Sequence, residues 1–416
     1  MWVRNRLVFL PVFLLLVFAG GLACRGAPKK KAAYRLQQVQ NVAKEVRGWK
    51  MLRNPGRAEP SWLILKADEL MLVRGTAEKT IALPPRFVGW VVSRQGRFFA
   101  LFNLAAQKKS GGGKTVLQAG VYSAEGRLLY RLHRPKAYDE PVPARVLSDR
   151  DGTLVLGESA TARLFFFGPD GRLLREVTLF PDAEYDLERL LQIDVSADGR
   201  RVAVLAGRRG ASPLDAGVPN PSGEPHVFLF DADGNLLWQR RLQGGAPQNV
   251  ALSPDGEFLL ASSYSSYSDG RLERSTALLR RDGTVVRTLP VLFRSAAFAP
   301  QAGAVLLADR SAARLIRLSS GEALWQVRYS RKAGMVAAAG LSPEADRAFV
   351  LTARNAFEKD RFVFKQPVLH VIDRSGSLVQ ELTFPQEAFL TPSLTVASGR
   401  IFLGLIHKLY RIEVQR

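Results

Sequence analysis

The 416-residue chain contains one cysteine and four histidines. That supply leaves no disulfide framework, no zinc site of the usual Cys/His spacing and no Cys–His nucleophile pair. His133, His226, His370 and His407 are scattered, and none stands in a metal or triad spacing. Beyond residue 25 no apolar run reaches the roughly 20 residues of a bilayer-spanning helix, which excludes a polytopic helical membrane protein. Acids are scarce too, with 38 Asp+Glu against 59 Lys+Arg and a net charge of +21. The excess is spread thinly over most of the chain without forming a basic stripe, which weighs against nucleic acid as a partner. At 47% hydrophobic residues the chain is too apolar for general disorder, and long enough for one large domain or two ordinary ones.

What is there begins with an export signal. Arg4 and Arg6 precede the short apolar run LVFLPVFLLLVFA, Leu7 to Ala19, which is followed by small residues. Cys24, the single cysteine, stands directly after them. Gly21-Leu22-Ala23-Cys24 resembles a bacterial lipobox, in which the cysteine receives a diacylglycerol and becomes the mature N-terminus; Gly21 stands where the family usually carries Leu. An uncleaved signal anchor and ordinary cleavage with Cys24 incidental are the other readings. Residues 1–23 are thus expected to be a signal peptide. Residues 24–60 are expected to be a basic tether, since over 25–50 Arg25, Lys29, Lys30, Lys31, Arg35, Lys44, Arg47 and Lys50 face one acid, Glu45. Within it Leu36, Val39, Val42, Ala43, Val46 and Trp49 recur at three- and four-residue steps, which predicts a short amphipathic helix. Such a helix either packs on the following domain as a linker or lies on an anionic membrane surface beside the lipid.

From about residue 60 the chain consists of short β-rich runs broken by Asp-Gly and Ser-Gly turns. A unit recurs every 43–57 residues: VSRQGRFFALF from Val92, LSDRDGTLVLG from Leu147, VSADGRRVAVLA from Val195 and LSPDGEFLLAS from Leu252, then copies from Phe298, Leu341 and Val396. That is the period of a four-stranded propeller blade. A second hairpin interleaves with the first, as in GPDGRLLREV, DADGNLLWQ and RRDGTVVRTL, and its earliest copy begins at Leu70. The chain so opens with an outer hairpin and ends with an inner one near 394–405. The expectation is an all-β propeller of seven four-stranded antiparallel blades over residues 61–416, its ring closed by both termini, with 70–83 and 394–414 sharing a blade. SWLILK at Ser61 and HKLYRIEV at His407 would instead complete an eighth.

These units resemble the WD-repeat-like, SPDG-type repeats of bacterial periplasmic propellers, including the Tol-system propeller, most closely at Leu252–Ser262 and Val195–Ala206. Trp238 and Trp325, in GNLLWQ and GEALWQ, are similar to positions of pyrroloquinoline-quinone-type propeller repeats; the propeller lipoprotein of the barrel assembly machinery shares this architecture. The resemblance implies the fold, and function only weakly.

Candidate chemistry is thin. KKSGGGKT from Lys108 ends like a phosphate-binding loop, but Lys108 stands where the first glycine belongs and no helix follows; a hairpin loop is expected. The Asp-x-Asp-Gly strings at Asp149 and Asp231 lack the further acids of a calcium loop and read as hairpin turns. Trp238 and Trp325 are expected to pack between blades. No catalytic, metal or cofactor residue is assigned.

Loop length separates the two faces. The turns between first and second, and third and fourth, strands are tight, whereas 103–115, 207–226, 263–275 and 353–366, with 133–145 and 180–192 between blades, are long and share one face. They carry Tyr264, Tyr267, Phe357 and Phe362 beside Arg208, Arg209, Arg271 and Arg361, the usual makings of a recognition surface. The sequence therefore points to an exported monomeric propeller, anchored through Cys24 in the periplasm, the outer membrane or at the cell surface. It would act as a non-enzymatic scaffold binding another envelope protein, with no cofactor. A sensor or carrier for a small ligand or glycan, and a quinoprotein- or lyase-type enzyme working in the funnel, are the rival readings.

Overall fold

The computed structural model describes residues 34–414, apart from 43–44, 53–59, 108–113, 136–143, 160, 182–190, 209–223, 268–269, 331, 333, 359 and 398–399. The signal peptide, Cys24 and the Lys29–Lys31 run lie outside the described residues. So does the Gly-rich core of the 108–115 loop, whose flanking strands Phe98–Gln107 and Lys114–Ser123 pair directly as a hairpin.

Every sheet is an antiparallel four-stranded blade, with one short added strand in blade 7, and there are eight of them. Blade 1 is Gly48–Leu52, Ser61–Leu65, Glu69–Arg74 and Ala77–Ala82; blades 2 to 7 follow in chain order, each starting afresh at its innermost strand. Blade 8 takes three strands from the C-terminus, Ser393–Ala397, Arg400–Gly404 and Lys408–Val414, and its outermost strand from the N-terminus, Tyr34–Asn41. Both termini do close the ring, but the favoured count of seven is corrected to eight. The proposed sharing of a blade by 70–83 and 394–414 is corrected too, because 69–82 pairs within blade 1.

The cause lies in residues 34–52. Where helical spacing predicts an amphipathic helix, the structure has two strands, Tyr34–Asn41 and Gly48–Leu52, serving different blades. Val42, Val46 and Trp49 are buried between blades 8 and 1, and the indole N–H of Trp49 donates to the Leu405 carbonyl at 2.6 Å. Only Val42, Val46 and Trp49 of the spaced residues meet at that interface; Leu36 packs at the junction of blades 7 and 8, and Val39 is 43% exposed.

Stability comes from the interfaces between blades. Eight hydrophobic clusters occupy the eight junctions; that of blades 3 and 4, for example, joins Val155, Leu164 and Phe166 to Val202, Val204 and Phe228. Each fully buried Leu or Phe contributes about 1.5–3 kcal/mol.

A second device repeats along the outer rim. In blades 1 to 7 the turn into the outer strand carries a glycine with φ between 55° and 86°: Gly75, Gly126, Gly171, Gly234, Gly283, Gly321 and Gly376. Such angles favour glycine. Four residues after the first six stand Lys79, Tyr130, Arg175, Trp238, Arg287 and Trp325, and each reaches over the turn glycine of the next blade. A Cβ on that glycine would lie 2.5–3.7 Å from the overlying side chain. Trp238 and Trp325 are thus packed between blades, with the Trp238 N–H donating to Arg281 O at 2.6 Å. After Gly376 the equivalent residue is Gln380. Blade 8 has no such turn, and Gln380 instead accepts from Tyr34 N at 2.7 Å and donates to Tyr34 O at 3.2 Å.

The tight turns are cross-linked as well. Asp149 does not bind locally as a simple turn residue would; it is 2% exposed and accepts from Ser93 Oγ, Gln95 N and Arg97 N of the preceding blade at 2.5, 2.6 and 3.2 Å. Arg94 of blade 2 reaches Asp194 on the innermost strand of blade 4, at 2.5 Å, and the Leu252 carbonyl of blade 5, at 2.6 Å. A side chain from one blade thereby meets blades two and three further round, at the turn end of the central channel.

Candidate functional site

Strand direction separates the two faces as expected, but the expected loops are largely overlong strands. Tyr264 lies within Phe258–Ser266, and the 353–366 segment is a hairpin of strands Arg347–Glu358 and Arg361–Asp373. Hydrogen-bond pairing continues to the tips because alternate residues, Ser263, Ser265 and Ala353 among them, are still buried against neighbouring connections.

The expected residues form two groups. On blade 5, Tyr267 Oη donates to Glu273 at 2.8 Å, the Arg271 guanidinium stacks 4.0 Å from the Tyr267 ring centre, and Arg271 pairs with Glu273 at 3.2 Å. The hydrogen bond to Glu273 pushes the Tyr267 hydroxyl above its ordinary pKa. Tyr264, one strand turn below, lines a cavity of about 540 Å³ with Ser263, Ser275 and Pro290. On blade 7, Phe357 and Phe362 are 63% and 61% exposed, with ring centres 5.1 Å apart. Between them Arg361 makes a bidentate pair with Glu45, at 2.5 and 2.7 Å, from the connection that leads into blade 1. Those bonds hold the Glu45 carboxyl below the usual carboxylate range. The two groups are separated by blade 6. Arg208 ends the strand Arg201–Arg208 on blade 4, and Arg209 lies outside the described residues.

Cations that loop length did not single out lie between these groups. Arg274, Arg294 and Arg310 line a cavity of about 260 Å³ between blades 5 and 6, beside Leu272, Leu292 and Phe293. Burial, and then the neighbouring charge of Arg310, hold Arg294 below the usual arginine range. In the channel, burial depresses Arg145 to a pKa of about 10, and Arg145 Nε donates to Trp90 O at 3.2 Å. Among the described residues no group of three His, Cys, Asp or Glu side chains is placed to hold a metal ion.

No protein-family model matches the sequence, and no curated protein matches it. Solved structures do share the fold. The C-terminal WD40 domain of Sif2 superposes with a TM-score of 0.54 at 12% identity, over 92% of this chain and 99% of that one. The Dos1 propeller gives 0.53 at 12% identity over 91% and 94%, and Saccharomyces cerevisiae Sqt1 gives 0.52 at 10% over 92% and 98%. The architecture they share with this chain is the β-propeller. At these identities the likeness is one of fold.

Proposed function

We propose that this chain is an extracytoplasmic propeller, anchored through acylated Cys24, that captures another envelope protein on the face carrying the overlong hairpins, without catalysing a reaction. Given that anchor, one observation supports the choice of face. Tyr34 opens the closing strand at the tight-turn rim, beside Val414 and the Gln380 clamp of blade 7. A chain anchored at residue 24 has ten residues in which to reach Tyr34, at most about 35 Å. The tight-turn face then looks toward the membrane, and the face with Tyr264, Tyr267, Phe357 and Phe362 looks away from it.

Two measurements test this. Labelled palmitate fed to cells should mark the wild type and leave Cys24→Ser unlabelled; equal label on both, or none on wild type, removes the anchor. In crosslinked pull-downs from intact membranes, Tyr264→Ala with Tyr267→Ala should weaken partner capture about thirtyfold, the effect of losing roughly 2 kcal/mol at an interface centre. Arg172→Ala with Arg374→Ala on the tight-turn face should leave it unchanged. The opposite pattern assigns capture to the other face.

A further inference from the structure

The groove between blades 5 and 6 holds positive charge that the fold leaves unanswered. Several cations on this face are paired: Arg361 with Glu45, Lys365 with Glu358, Lys408 with Glu387 and Arg271 with Glu273. Arg274, Arg294 and Arg310 have no ion-pair partner among the described residues, although they line one cavity. The acid in that lining, Asp309, is already committed. Its carboxylate accepts from Arg314 at 2.7 Å and from the backbone N–H groups of Ser311 and Ala312 at 2.7 and 2.8 Å. Burial opposes ionisation of Asp309, but these bonds outweigh it and keep the carboxyl below its ordinary pKa.

The backbone that carries Arg294 and Arg310 is held in place. Arg294 N donates to Ala308 O at 2.8 Å, and Arg310 O accepts from Val336 N at 2.9 Å. The connection before Arg294 is pinned by Asn249 Nδ2 to Phe293 O and by Thr276 Oγ1 to Val291 O, both 2.6 Å. Exposed guanidiniums on a fixed backbone that lack a carboxylate, with Arg294 and Arg310 repelling each other, are suited to receive an anion.

We infer that this groove binds an acidic peptide segment, seating its carboxylates on Arg294 and Arg310. The inference rests on the reading of this face as the capture surface and specifies what it captures. Two features favour a peptide over a continuous polyanion. Leu272, Leu292 and Phe293 give the cationic cavity apolar walls. Leu272 and Arg274 also border the 540 Å³ cavity, which is lined by hydroxyls and by the acid Glu273. A chain alternating carboxylates with apolar side chains meets complementary groups along this path, whereas an unbroken run of phosphates or sulfates meets a carboxylate and a hydrophobic wall.

The test uses the full chain and two labelled, capped octapeptides, one alternating leucine and glutamate, the other leucine and glutamine. Fluorescence anisotropy should show binding of the glutamate peptide and at least tenfold weaker binding of its glutamine counterpart. Arg294→Gln with Arg310→Gln should weaken the glutamate peptide at least tenfold. Arg172→Gln with Arg374→Gln, which removes the same charge from the other face, should change it less than twofold. The Arg294/Arg310 variant should melt no lower than wild type, since it loses two repelling, unpaired cations. Equal affinity of the two double variants, no discrimination between peptides, or no binding overturns the assignment. Stronger groove-dependent binding of heparin or oligothymidylate than of the peptide does so too, in favour of a polyanion. The underlying reading is scored separately. Partner capture that survives the Arg294/Arg310 change but not the Tyr264/Tyr267 change sinks the groove alone, and capture lost only through tight-turn substitutions sinks the face.

Discussion

Asp149 shows how much of the ring can depend on one carboxylate. Its acceptors serve the buried Ser93 hydroxyl and two partly buried backbone N–H groups of the neighbouring blade. Asp149→Ala takes the acceptor from two backbone N–H groups, while the Ser93 hydroxyl keeps the Phe98 carbonyl at 3.2 Å, and at about 1–3 kcal/mol for each unsatisfied group the expected loss is a few kcal/mol. Asp149→Asn retains one acceptor and should fall between. Urea unfolding of the three proteins checks the order; an alanine variant as stable as wild type would show that solvent reaches the turn. His370 gives the molecule a pH dependence of known sign. It is 6% exposed, contacts Thr352 at 3.0 Å and Glu381 at 2.9 Å, and stacks near Tyr329. Burial lowers its pKa more than Glu381 raises it, leaving the folded value below the ordinary 6.5. As pH falls through 6.5 the unfolded chain takes up a proton that the folded protein still refuses, so this contribution is present above that pH and lost below it. The wild type should lose more melting temperature between pH 7.5 and 5.5 than His370→Gln does. A gap between the two proteins that is the same at both pH values would count against this account.

At the scale of elements, the closing strand is the irregular one. Six junctions are fastened by a side chain lying over a turn glycine, and the seventh by the Gln380 amide gripping both backbone groups of Tyr34. Gln380→Ala removes two hydrogen bonds from the end of a strand, about 1–2 kcal/mol in all. Native-state hydrogen exchange should report it as faster exchange over Tyr34–Asn41, with strands of blades 3 to 5 unaffected. Uniform acceleration throughout the ring would mean that the strand and the ring open together. This strand was also the element least legible in the sequence. YRLQQVQN buries few of its side chains, so its alternation is faint, and its partner Lys408–Val414 lies at the opposite end of the chain. The inner hairpins of blades 2 to 6 announce themselves because their apolar strands are joined by turns with a glycine at positive φ, Gly96, Gly152, Gly199, Gly256 and Gly303; blade 7 has Ala345 there.

For the molecule as a whole, closure makes the eight interfaces interdependent. Deleting residues 394–416 removes three strands of blade 8 and strips the partners from Tyr34–Asn41, exposing the apolar faces of blades 7 and 1 on either side of the gap. The truncated protein should lose its single cooperative transition and self-associate. Calorimetry and sedimentation would check this, and a sharp monomeric melt like that of the full chain would contradict it. The candidate site was legible in the same uneven way as the fold. Tyr267, Arg271, Phe357 and Phe362 sit on hairpin tips, where sequence spacing and spatial proximity coincide. Arg294 and Arg310 sit in short connections, and only the packing of blade 6 against blade 5 brings them into one cavity with Arg274.

The N-terminal origin of the closing strand has a mechanical consequence. Tension drawing the chain upstream of Tyr34 away from the tight-turn rim acts along the axis of Tyr34–Asn41. The ladder to Lys408–Val414 then carries the load in shear, its rungs sharing the force instead of parting one after another. A strand contributed by a hairpin would be peeled from its free end under the same pull. The seam at which the two chain ends meet is therefore oriented to resist being drawn apart lengthwise, and the Gln380 amide holds the first rung where such a pull arrives.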